Sequence, residues 1–110
     1  MWPFKRKKVM QWPRERSDAW PVFVNGWIPI RCWTRPDGDE RIFLIKRKEG
    51  TFMTEHEYFS HDEYENCWIG SGCRSIYDTP ASAIREITVM YSWMNEVKPE
   101  TRDAEPSNAV

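Results

Sequence analysis

In 110 residues there is room for one domain, because a chain of this length buries roughly two-thirds of its unfolded surface around a single core. A composition of 40% hydrophobic, 30% charged and 15% aromatic residues excludes a disordered chain, and no apolar run approaches the roughly 20 residues of a membrane span or the roughly 7–15 of a secretory signal. The net charge of −1 conceals an asymmetry: residues 1–50 carry twelve Lys/Arg against six Asp/Glu and residues 51–110 four against eleven, which predicts one basic and one acidic region.

Residues 1–19 read as a tail. Lys5, Arg6, Lys7 and Lys8 form a block of like charge with no apolar periodicity around it, and Trp-Pro pairs at Trp2-Pro3, Trp12-Pro13 and Trp20-Pro21 bias each Trp toward extended geometry. The domain is expected over 20–98. Trp20 to Val24 and Trp27 to Thr34 carry strand formers on either side of Asn25-Gly26, the pair a type I′ hairpin turn favours because both central residues need positive φ. Pro29 cannot donate to a ladder, so the second of these strands is expected at an edge or with a bulge. After the turn composition of Arg35 to Glu40, the run Arg41 to Arg47 holds Ile42, Phe43, Leu44 and Ile45, apolar on both faces and therefore central. A further strand begins near Thr51 beyond Gly50, residues 55–66 complete it and lead into a loop, and Cys73 to Tyr77 supply a short edge strand after the Gly70-Ser71-Gly72 turn.

Asp78-Thr79-Pro80 offers a helix cap followed by proline at the first helical position, and Pro99 marks the stop. On a straight helix Ala83, Ile84, Ile87, Met90, Tyr91 and Met94 fill an arc of about 120°, which Val89, Trp93 and Val97 widen to about 220°. Residues 99–110 read as a polar tail. The expected fold is thus α+β, an antiparallel sheet of about four to five strands packed by one C-terminal α-helix.

Chemistry is sparse. His56 and His61 have zinc-finger spacing, yet they precede Cys67 and Cys73, and five residues separate those cysteines, so the four are weak metal candidates and no cofactor is expected. Three cysteines without a disulfide framework fit a reducing compartment, which predicts a cytoplasmic location. No nucleophile elbow, phosphate-binding loop or dinucleotide fingerprint occurs, and the carboxylates of 55–65 beside the histidines fit a solvated face better than acid/base catalysis. The expectation is a non-enzymatic protein.

Seven Trp, each able to bury ~150–250 Å², exceed what one sheet face and one helix hide. That surplus predicts a protein-interaction module, an inhibitor or adaptor, contacting another protein or a second copy of itself through Trp93, Val89 and Val97, with Trp27 and Trp33 next. Stand-alone size with no catalytic inventory matches the character of small viral or mobile-element inhibitors, an analogy that supplies no site residues. The alternative is nucleic-acid or nucleotide binding: Lys5 to Lys8 interleaved with aromatics, the patch Lys46, Arg47 and Lys48, and an anion nest of Gly70 and Gly72 with Arg74. The same basic aromatic tail suits peripheral contact with an anionic membrane, whereas insertion across one is not expected.

Overall fold

The computed structural model describes residues 15–72 and 75–102. Its centre is a run of three antiparallel strands: β1 (Ile28–Thr34), β2 (Glu40–Lys46) and β3 (Phe52–Ser60). They are joined by turns in which Gly38 and Gly50 take positive φ. Beyond β3 lie β4 (Cys67–Gly70) and the two-residue β5 (Ile76–Tyr77), followed by helix α1 (Pro80–Met90), a 3₁₀ turn over Ser92–Glu96, and β6 (Glu100–Thr101). The sheet order is β4-β3-β2-β1-β6, with β5 also on β3, so the α+β architecture with its helix after the strands is as the sequence predicts.

Register shows that β4 and β5 are one interrupted edge. Gly70 pairs with Glu57 and Ile76 with Met53, so six residues on the outer chain span what four span on β3. An edge broken in this way resists pairing with a foreign strand along its whole length. The register of β1 on β2 also slips between Pro29 and Arg31, the bulge that the missing proline N–H demands.

Alternation along β2 sends Ile42 and Leu44 to one face and Arg41, Phe43 and Ile45 to the other, and all five are buried. The first face packs under α1, with Trp33, Ala83, Ile87 and Met94 in the same cluster. The second packs Phe43, Ile45, Cys32 and Met53 beneath Trp20, Phe23 and Trp27. Here the structure corrects the predicted first hairpin. Asn25-Gly26 does turn, with Gly26 at φ +89°, but Trp20 to Val24 form no strand. Burial against Phe43 outweighs strand propensity: Trp20 meets that ring edge-on at 5.3 Å, and the segment crosses the sheet as a strap.

The strap starts earlier than the expected domain boundary. Arg16 lies 4.0 Å over the Phe59 ring, and Arg41, only 4% exposed, donates to Glu57 at 2.8 Å and to the backbone carbonyls of Asp18 and Ala19 at 3.0 and 3.2 Å. Residues 18 and 19 are thereby tied to the sheet. At the other end, Glu100 and Thr101 pair with Cys32 and Arg31, where a tail was expected from 99 onward.

The helix is also shorter than Pro99 implied. Thr79 caps it, its hydroxyl accepting from Ser82 N–H at 3.1 Å with Pro80 following, but Tyr91 at φ −128°, ψ 82° ends it. The 3₁₀ turn that follows redirects Met94 into the cluster and lays Trp93 and Val97 against it. The 220° arc of a straight helix therefore does not exist. None of the five described indoles, Trp20, Trp27, Trp33, Trp68 and Trp93, is exposed, because the sheet buries both faces instead of one. Trp2 and Trp12 lie outside the described residues.

Candidate functional site

Among the predicted protein-contact residues, Trp33 is core, Trp93 and Val97 are half-buried against the helix-side cluster, and Trp27 is half-buried beside Phe23 over the Phe43 cluster. Val89 alone is exposed, at 79%, and beside it Met90, expected on the core stripe, is 66% exposed because α1 ends at that residue.

These two side chains border an open cleft of about 720 Å³ between α1 and β5. One wall is a helical stripe, Ser82, Arg85, Glu86 and Val89, at the i, i+3, i+4, i+7 spacing that places side chains on a single face. The other wall is the edge chain, Ser75 and Tyr77. Among the described residues β5 pairs only with β3, so its outer edge is unladdered. Tyr77 is held above the ordinary phenol range by burial and by the neighbouring Glu86 carboxylate. The volume lies within the roughly 300–1,000 Å³ of typical ligand sites.

A small recess of about 70 Å³ adjoins the cleft, the two sharing Ser75, Tyr77 and Met90. His56 lines it together with Thr54, Ser71 and Tyr91. The imidazole is stacked on the Tyr91 ring at 4.8 Å, and its Nε2 is 2.5 Å from Glu40 Oε2, whose other oxygen pairs with Arg35. A carboxylate can only accept, so Nε2 carries the proton. His56 Nδ1 is buried and has no hydrogen-bond partner among the described residues.

The four metal candidates do not come together. His61 bonds Asp39 at 2.9 Å and His56 bonds Glu40, Cys67 is half-buried on β4, Cys73 lies outside the described residues, and no trio of His, Cys, Asp or Glu with ligand geometry occurs among those described. The anion candidates are similarly dispersed. Lys5, Arg6, Lys7, Lys8 and Arg74 fall outside the described residues. Lys46 is half-buried, Arg47 donates to Thr51 at 3.0 Å and reaches Glu49 at 3.5 Å, and Lys48 is exposed with its stem beside Gly26. At the glycine turn Ser71 N–H already serves the His56 carbonyl, and a Cβ on Gly70 would stand 2.7 Å from a Glu55 carboxylate oxygen. A carboxylate at that distance repels an anion, and Gly70 leaves room for the acid.

A further cavity of about 160 Å³ lies under the strap between Arg16, Trp20, Arg41 and Trp68. Its guanidinium groups are committed: Arg16 pairs with Asp18 at 2.9 Å and Asp39 at 3.3 Å, and Arg41 with Glu57. The α1–β5 cleft is thus the larger concave surface whose apolar side chains are unspent. Helical spacing beyond the core stripe marked Val89 in the sequence, but nothing there marked Tyr77, Ser82 or Met90 as cleft residues, since the cleft exists only once β5 has paired with β3.

No family model matches this chain, and no significant match is found among curated proteins or solved structures. No helix of the described residues is long and apolar enough to cross a membrane.

Proposed function

We propose that this protein is a non-enzymatic protein-binding module, working as an inhibitor or adaptor, that holds an extended segment of its partner in the cleft between α1 and β5. The observation that carries the reading is the exposure of Val89 and Met90, 79% and 66%, on a groove with a helix as one wall and an unladdered strand as the other. Such a groove suits strand addition, in which main-chain hydrogen bonds to the edge supply affinity and pockets for alternate side chains supply choice. Arg85 and Glu86 at the rim offer one charge of each sign for orientation.

Peptide display tests the reading. Extended peptides selected on the intact protein are expected to slow amide exchange at Ile76 and Tyr77, and Val89→Asp is expected to weaken them at least about tenfold while changing stability by no more than ~0.5 kcal/mol, as surface substitutions do. Selected peptides indifferent to Val89→Asp, or protecting amides elsewhere, would overturn it. Salt-sensitive capture of a homopolymeric oligonucleotide with no peptide binding at all would move the function to the basic residues instead.

A further inference from the structure

Resting on that reading, we infer that a second copy of this chain also occupies the cleft, inserting the outward side of its strap, Pro21 to Val24, so that the protein covers its own binding site as its concentration rises. The chain carries a segment of the kind the cleft takes. Val22 and Val24 are 90% and 104% exposed, whereas Phe23 between them is half-buried against the Phe43 cluster, the period-two alternation of an extended segment. Among the described residues the main chain of 22–24 belongs to no ladder, so it brings backbone donors and acceptors together with alternate apolar side chains. An unladdered strand beside Val89 and Met90 is built to receive that combination.

Length and charge agree. Extended chain sets Val22 and Val24 about 7 Å apart, within the roughly 10.5 Å of helix that separates Ser82 from Val89 at a rise of about 1.5 Å per residue. Lys48, exposed and with its stem beside Gly26 just past the strap, supplies a cation for Glu86 on the helical wall of the cleft. The strap covers one face of the sheet and α1 the other, and Arg41 ties residues 18 and 19 down, so a strap does not serve its own cleft. The contact is heterologous, from the strap of one copy to the cleft of the next. So few residues bury less than the roughly 1,200–2,000 Å² of stable complexes, which makes the association weaker than about 1 μM.

Sedimentation velocity of the full chain from about 10 μM to about 1 mM is expected to show reversible growth beyond the monomer. Val89→Asp, and separately Val22→Asp with Val24→Asp, are each expected to weaken that growth at least about tenfold. Mixing the two variants is the decisive arm: the intact cleft of the strap variant takes the intact strap of the cleft variant, so a heterodimer that grows no further is expected. An excess of free peptide of residues 19–26 is expected to break up the native assembly and to slow amide exchange at Ile76 and Tyr77, a readout that needs no variant. The inference fails if the chain stays monomeric throughout that range, if association ignores the substitutions, or if the peptide leaves the assembly intact. Display-selected peptides that need Val89, in a chain that stays monomeric, would leave the groove reading standing and remove self-docking. Self-association lost with Val22 and Val24 and with Val89, in a protein that selects no foreign peptide, would keep this inference and remove the inhibitor or adaptor reading.

Discussion

Arg41→Met asks whether the strap and sheet are one cooperative unit. Methionine keeps an unbranched stem among Phe43 and Trp68, whose rings lie 4.7 and 4.1 Å from the guanidinium, but deletes the charge that serves Glu57 and the carbonyls of Asp18 and Ala19. The Arg41 and Glu57 side chains are 5% and 12% exposed, so the abandoned carboxylate has little water to turn to. Removing one partner of a buried pair costs about 3–5 kcal/mol, and each kcal/mol lowers Tm by roughly 4–8 °C in a domain of this size. A loss of about 15 °C or more by calorimetry is expected, with faster amide exchange over residues 18–27. Adding Glu57→Gln to Arg41→Met removes the stranded charge and is expected to recover about 1–2 kcal/mol, the part of the penalty that belongs to the ion and not to packing. Melting within about 3 °C of the native protein for Arg41→Met, or no recovery in the double variant, would refute the argument that the strap is held through this guanidinium.

Thr79 and Cys32 supply three further outcomes. Thr79→Ala removes the hydroxyl that caps Ser82 N–H and is expected to lower the urea-unfolding free energy by about 1 kcal/mol, with Thr79→Asp restoring most of it. Burial pushes the Cys32 thiol up to about 11 from an ordinary 9.0, so the folded chain holds that proton more tightly than the unfolded one. The sign is that stability from Cys32 is complete below pH 9 and is lost as the pH rises toward 11, and the Cys32→Val variant is expected to show a shallower alkaline decline. At pH 8 native Cys32 should resist iodoacetamide until the chain unfolds, which mass-mapped alkylation reads directly.

The sequence alone carried the backbone of the fold. A double-sided apolar run identified β2 as central, Pro29 located the bulge, and the Thr79-Pro80 signal started α1 at the right residue, because each is a local restriction on φ, ψ or a missing donor. His56 and Val89 were also legible as residues of interest, although His56 stood out for a metal spacing that the structure does not assemble. What only tertiary structure decided were the competitions between local preference and distant burial. Trp20 and Phe23 left their expected strand to cover Phe43 and Ile45, and Tyr91 broke the helix so that Met94 could enter the core. The same contest set which apolar residues stayed outside, since burial depends on the partner a side chain meets, and that partner lies tens of residues away along the chain.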